Sequence, residues 1–282
     1  MRFHQENAQI YVPDCTPEEE ALARTTHLAI GAHQDDLEIM AAAPILECFR
    51  AEDRWFSGVV VTDGRGSPRE GIYKEFSDEQ MRLVRIKEQQ KAASIGEYAS
   101  VILLDYPSKT VKDRTDQCVE EDLGRILEAT GVRTVYTHNL ADKHDTHVAV
   151  AVRVIHAIRS MPPQARPLKL FGCVVWRDLD WLLDADKVTF DLSSHENLQG
   201  SLLGVFDSQI CGGKRYDLAT MGRRRADATY FESHAVDSSQ GLAYAMDLTP
   251  LIERPEIEIQ TFTQAHIDRF ASDVADRLGK LL

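Results

Sequence analysis

Residues 27–40 read HLAIGAHQDDLEIM, and their order decides the fold. His27 to Gly31 is a compact apolar run of strand length, and an alanine-rich stretch of helical character extends from about Leu37 to Phe49, so AHQDD is the turn between a strand and a helix. The same alternation continues downstream. Trp55 to Thr62 holds three consecutive valines and ends in Asp63-Gly64-Arg65-Gly66, a buried strand followed by a glycine-punctuated loop. Ser77-Asp78-Glu79-Gln80 is a capping box that opens a helix with apolar positions at Met81, Val84, Ala92, Ala93 and Ile95, and Gly96 closes it. The pattern then predicts a strand over 101–104, a helix over 116–130, a strand over 132–137, a helix over 144–161 and a strand over 168–176. Upstream, Thr16 as a hydroxyl cap, Pro17 at the first helical position and Glu19 three residues after the cap predict a short helix to about Arg24.

Parallel neighbours need a crossover, and the crossover is usually a helix, so strands and helices that alternate at these lengths build a parallel sheet covered on both faces. The expected fold class is α/β, a Rossmann-like three-layer sandwich with a mostly parallel central sheet. The 282 residues fit one domain, with the core over about 25–176. After Arg177 the pattern weakens. A helix near 195–205, a basic stretch at Arg223 to Arg225, a strand near 242–246 and a helix from Thr263 onward are read as additions to the same domain.

Composition excludes several classes of function. A hydrophobic fraction of 43% with 27% charged residues is that of a globular protein with ample core. The longest apolar stretches, such as 39–49, fall short of the ~18 residues of a membrane span, and no basic start with an apolar run marks a secretory signal. A cytoplasmic location is expected. Five cysteines without a CxxC pair fit a reducing compartment. With 32 basic against 45 acidic residues the net charge is -13, which disfavours nucleic acid and anionic membrane as partners. A small-molecule substrate is expected, and helices in the last third could build a homo-oligomer contact.

In open α/β sheets ligands collect beyond the carboxyl ends of the strands. Two such ends carry all the chemistry-bearing residues: His33-Gln34-Asp35-Asp36 after the first core strand, and the stretch from His138 to His147 after the 132–137 strand. A catalytic zinc site takes three protein ligands, imidazole nitrogen or carboxylate oxygen, and leaves a fourth position for water. His33, Asp36 and His147 meet that need, with one zinc per chain, although other divalent ions share the same donor chemistry. Asp35 is the carboxylate left over, and it is placed to act as general base on the attacking water. His144, three residues before His147 and on the same face of a starting helix, is placed to stabilise an oxyanion when protonated.

Two histidines and one carboxylate also make the facial triad of non-haem iron oxygenases. There the pattern is H-x-D, whereas here it is H-x-x-D across a strand-to-helix turn. A non-catalytic sugar-binding relative that kept the crevice is the other alternative. Neither GxGxxG after the first strand nor GxxxxGK[ST] is present to support nucleotide binding.

The segment from His33 to Glu38 resembles the AHPDDxE signature of the PIG-L / LmbE-like family of zinc-dependent N-acetylglucosamine deacetylases. His144-Asp145-Thr146-His147 resembles the family's HPDH-like turn, Thr62-Asp63-Gly64 its threonine and glycine loop, and Arg85 to Glu88 with Ala92 and Gly96 its RxxE helix. The likeness covers about 27–155 and fades beyond, where Asp207-Ser208-Gln209 is only weakly similar to a family SQ element. It implies zinc held by His33, Asp36 and His147, Asp35 as base, His144 as oxyanion partner, and an N-acetylated sugar or glycoconjugate as substrate. It also implies sugar-hydroxyl contacts from Arg65, on the loop after the second strand, and from Asp105, at the end of the third. Two departures stand out. Gln34 replaces a proline, which removes a rigid φ from the turn that aims Asp35. Asp145 and Thr146 replace the proline and aspartate of the second turn, which takes away an aspartate available to orient a ligand.

Overall fold

The apolar runs fold into one eight-stranded sheet in the computed structural model, which describes residues 1–282. Its strands are β1 (Gln9–Tyr11), β2 (His27–Gly31), β3 (Phe56–Thr62), β4 (Ser100–Tyr106), β5 (Thr134–His138), β6 (Lys169–Cys173), β7 (Lys187–Asp191) and β8 (Leu242–Asp247). Their spatial order is β1-β4-β3-β2-β5-β6-β8-β7. The middle five, β4 to β6 in that order, pair in parallel, and β1, β8 and β7 pair antiparallel at the two ends. This is an α/β fold with a mixed, mostly parallel sheet. β1 and β7 carry too little apolar sequence to be read as strands in advance, and both lie at edges.

Twelve helices accompany the sheet: α1 (Glu18–Ala23), α2 (Asp36–Met40), α3 (Ala42–Cys48), α4 (Asp78–Ile95), α5 (Ser108–Lys112), α6 (Cys118–Thr130), α7 (Asp145–Ser160), α8 (Glu196–Gly204), α9 (Asp207–Ile210), α10 (Tyr216–Tyr230), α11 (Thr249–Glu253) and α12 (Ile259–Leu281). Because successive strand residues face opposite sides, the strands divide their side chains between two cores. Leu28, Ile30, Val59, Val61, Ile102, Leu104 and Val135 pack with α1, α5, α6, α7 and α11 on one face. Ala29, Val60, Val101, Leu103 and Tyr136 pack with α2, α3, α4 and α8 on the other. Three layers result.

Local chemistry departs from the expected elements in two places. The helix expected over about 37–49 is two helices that break at Ala41 (φ -112°, ψ 25°). Pro44 is the cause, since its ring cannot accommodate the carbonyl four residues earlier, that of Met40, in a continuous helix. Thr16 does not cap α1, whose N-cap is Pro17. Its hydroxyl instead accepts from the Arg24 guanidinium at 3.3 Å. The capping box at the start of α4 forms as expected, with the Gln80 amide N–H donating to Ser77 Oγ and the Ser77 N–H to Gln80 Oε1.

Strand order reverses between β2 and β5, each of which has its next sequential strand on the outer side. A crevice opens above such a switch point, at the carboxyl ends of both strands. The loop from Ala32 to Asp35 and the loop from Asn139 to His144 meet there.

Candidate metal centre

The turn after β2 is closed by its own residues. The His33 N–H donates to Asp36 Oδ2 at 2.6 Å, and the Asp36 N–H to the His33 carbonyl at 3.3 Å. Asp35 takes φ 96°, a left-handed conformation that Asp and Asn tolerate better than most residues. The rigid φ lost at Gln34 is offset by hydrogen bonds. Gln34 is buried, its side-chain amide donates to the Thr62 carbonyl at 3.2 Å, and its own carbonyl accepts from the Arg85 guanidinium. Hydrogen bonds here replace the rigidity of a proline ring. Gly64 completes the fit: its φ is +72°, and a Cβ there would stand 2.6 Å from Gln34 Oε1.

This turn and the start of α7 bring donors together. His33 Nδ1 lies 3.1 Å from His147 Nε2, Asp36 Oδ2 lies 3.3 Å from His33 Nδ1, and His147 Nε2 lies 3.5 Å from Asp36 Oδ2. Donors about 2.0 to 2.1 Å from one ion at tetrahedral angles stand about 3.3 Å apart, so this triangle fits a zinc-sized cation. His33, His144 and His147 form one group able to chelate a divalent ion, and Asp36, His138 and His147 another. His138 has less to offer, because its Nε2 already accepts the Ala32 N–H at 2.9 Å. Its ring stacks on that of His147, 4.0 Å between centroids, and burial pushes its pKa down to about 4, so it is a neutral brace between the two loops.

His147 is wholly buried, and its Nδ1 faces Asp142 Oδ2 at 3.4 Å. The same carboxylate oxygen accepts the Trp176 N–H at 3.1 Å, and the other oxygen accepts the His144 N–H at 3.0 Å. Asp142 therefore orients His147, a side chain that could hold a metal ion, from four positions before Thr146. Burial lowers the His147 pKa, but Asp36 and Asp142 outweigh it and the net shift is upward. Asp36 moves well below the usual carboxylate range, since His147 and His138 overcome the penalty of burial.

Asp35 stands beside this triangle. Burial raises its pKa to about 7, Arg85 opposing and the Asp36 charge adding to the rise. Arg85 Nη2 is 3.5 Å from Asp35 Oδ2. His144 is shifted downward by burial and by the neighbouring imidazoles His147 and His33, which favours its neutral form. Its Nδ1 is buried and has no hydrogen-bond partner.

A cleft of about 400 Å³ lies over the centre, with His33, Asp35, Asp36 and His144 in its lining. Trp176 forms a wall, its ring 6.3 Å from that of His144 and edge-on to Tyr216 at 6.0 Å. Arg65 and Asp105 do not line it. They meet each other at 3.9 Å, but Arg65 is engaged by Asp63 (2.9 Å) and Glu79 (2.8 Å), and Asp105 accepts from Arg82 Nε at 2.6 Å. A bulge explains the turn of Asp105 away from the crevice: Leu104 and Asp105 together oppose Val61, and Asp105 sits at φ 60°.

The last third of the chain also reaches this region. Ser208 donates through its N–H and its hydroxyl to the Glu88 carboxylate, both at 2.7 Å, and Gln209, Lys214 and Tyr216 line the cleft. Sequence reading missed His138, Asp142 and Trp176. The available signal is position: His138 is the last residue of the strand beside β2, and Asp142 lies in the loop that leads to His144 and His147.

The fold is shared with solved structures at low identity. The 4-carboxy-2-hydroxymuconate hydratase GalB from Pseudomonas putida superposes with TM-score 0.60 at 15% identity, covering 79% of this chain and 96% of its own. A conserved protein from Thermus thermophilus gives 0.60 at 18%, covering 83% and 99%. The N,N'-diacetylchitobiose deacetylase from Pyrococcus horikoshii gives 0.58 at 16%, covering 78% and 83%. No curated protein matches the chain. Residues 28–158, the segment that holds both donor loops, match the model of the PIG-L family, described as GlcNAc-PI de-N-acetylase.

Proposed function

We propose that this centre hydrolyses the N-acetyl group of an N-acetylglucosamine-type sugar or glycoconjugate with the help of one zinc ion. The observation that carries the reading is the triangle of His33 Nδ1, Asp36 Oδ2 and His147 Nε2, with sides of 3.1 to 3.5 Å and the spare buried carboxylate of Asp35 beside it. The family match over 28–158 and the deacetylase among the structural neighbours support the choice of substrate class.

His33, Asp36 and His147 would hold the ion, which when bound supplies Lewis acidity and lowers the pKa of water to about 7. Asp35 takes the proton of the attacking water and returns it to the departing nitrogen. The water oxygen bonds to the acyl carbon to give a tetrahedral adduct, whose C–N bond then breaks, and acetate and a free amine result. A base whose pKa lies near neutrality suits both halves of that transfer. Arg85 positions Asp35 and limits the rise of its pKa. His144, neutral, donates one ring N–H to the carbonyl oxygen as that oxygen gains charge. Trp176 offers a flat apolar face on which a sugar ring can lie.

A second reading has one observation in its favour, the hydratase among the neighbours at the same TM-score as the best of the others quoted. Water activated by the same base could add across a carbon-carbon double bond. Metal analysis of the purified protein, followed by assays of acetate release from N-acetylated sugars and of the loss of absorbance of unsaturated carboxylates, separates the two. Stoichiometric zinc with released acetate is expected. Hydration without acetate release would replace the first reading with the second, and iron with dioxygen-dependent turnover would defeat both.

A further inference from the structure

α12 is anchored only over its first half. Ile259 and Phe262 pack on the core, Arg269 Nε donates to Asp186 at 2.8 Å, the Phe270 ring lies 6.3 Å from that of Trp181, and His266 is its one buried residue. Beyond Asp273 every residue is exposed. Yet the helix carries Ile267, Phe270, Val274, Leu278 and Leu281 at spacings of three and four, exposed by 41, 39, 41, 51 and 84%. That spacing is the seam of a helix that packs on another helix.

We propose that this stripe joins two copies of the chain, with their α12 helices packed antiparallel and crossing at Val274. The stripe reads alike in both directions from that residue. Phe270 and Leu278 lie four positions to either side, and Ile267 and Leu281 seven, so a two-fold axis at Val274 sets every large side chain against a large one. Charge fits the same arrangement. Asp273 and Arg277, paired at 2.8 Å within the helix, flank the stripe on one side. The two-fold brings Arg277 of each copy beside Asp273 of the other, whereas a parallel pairing sets that flank against Ala271 and Ala275. A lipid surface is a poorer occupant: Arg269, Arg277 and Lys280 are matched on the polar face by Asp268, Asp273 and Asp276, and the chain carries a net charge of -13.

Light scattering of the full chain from about 5 to 200 µM tests the proposal, because assembly follows mass action. A dimer mass is expected at the upper concentrations, and a monomer mass for Val274→Glu with Leu278→Glu. Both side chains are exposed, so at low concentration, where the parent is monomeric, the melting temperature and circular dichroism of the variant should match those of the parent. A parent that stays monomeric, or a variant that stays dimeric, overturns the proposal. Orientation is read by disulfide trapping after Cys15→Ser and Cys211→Ser. Val274→Cys should cross-link to itself, and Ile267→Cys should cross-link only when mixed with Leu281→Cys. Self-cross-linking of Ile267→Cys would overturn the antiparallel arrangement.

Discussion

The molecule up to Trp176 gathers ionisable groups around one crevice, whereas the segment after Arg177 braces it in part through arginines that donate to its backbone carbonyls. His33, Asp36, His147 and Asp142 are linked in one network, and Arg85 holds Asp35 beside it. From the other side, Arg223 donates to the carbonyls of Val175 and Trp176, and Arg224 to those of Glu38 and Ile39. One region carries the groups proposed to react, and the other holds the ends of the elements that carry them. The difference makes separate demands on substitution: changes in the first region should alter rate, and changes in the second should alter stability.

The largest effect is expected from Asp35→Asn. Asn tolerates the left-handed conformation at this position and is nearly the same size, so the turn should persist. Without a base, kcat should fall on the order of 10²- to 10⁴-fold while bound metal, measured by elemental analysis, stays near one per chain. Equal loss of metal and rate would show that Asp35 belongs to the donor set, and the division between the two regions would lose its chemical half.

Arg224→Ala tests the other half. The arginine is buried, and its loss leaves the Glu38 and Ile39 carbonyls and Gln199 Oε1 without their donor. A cost of about 2 to 4 kcal/mol is expected in urea unfolding, as for other buried groups left unpaired. In the folded fraction kcat should change by less than about threefold. A fall in kcat comparable to that of Asp35→Asn would mean that the last third takes part in the chemistry.

This division also explains what the sequence disclosed. The proposed metal donors and base are particular residue types at particular strand ends, so His33, Asp35, Asp36, His144 and His147 stand out in the sequence, and the matched family segment falls on the same stretch. A carbonyl, by contrast, accepts from any donor that reaches it. Nothing in Arg223-Arg224-Arg225 tells which of the three is buried, and α10, on which they lie, was not read as a helix at all. The β4 bulge is equally silent, because Val101 to Leu104 is a continuous apolar run with no alternation whose phase an extra residue could shift; Asp105, expected in the crevice, is found at Arg82.

Glu38 lies where the two regions meet and gives a pH test. Its Oε1 accepts from the Gln89 amide and the Tyr98 hydroxyl, both at 2.8 Å, and its Oε2 is buried without a partner. Burial raises its pKa from the ordinary 4.5 to about 8. The folded chain therefore keeps a proton that the unfolded chain has released. The stabilisation is full below about pH 4.5 and is lost as pH rises through 8, by roughly 1 to 2 kcal/mol between pH 6 and 8. Glu38→Gln keeps a neutral group of the same shape and should remove that slope in a series of unfolding curves. Parallel profiles for parent and variant would place Glu38 in its ionised form and require a cation at Oε2.

The smallest effect is expected one residue along from the buried arginine. Arg225 points out from α10 to Glu196, with side chains 56 and 57% exposed. Exposed ion pairs contribute little, because water screens the charges and two long side chains lose freedom when they pair. Arg225→Ala should therefore move stability by no more than about 0.5 kcal/mol and leave rate alone. Unfolding curves for the Arg224 and Arg225 variants, run side by side, set a buried donor to carbonyls against a surface pair in the same turn of one helix. If the two cost the same, the bracing role of the last third does not lie in its contacts to backbone, and the contrast between the regions must be drawn elsewhere.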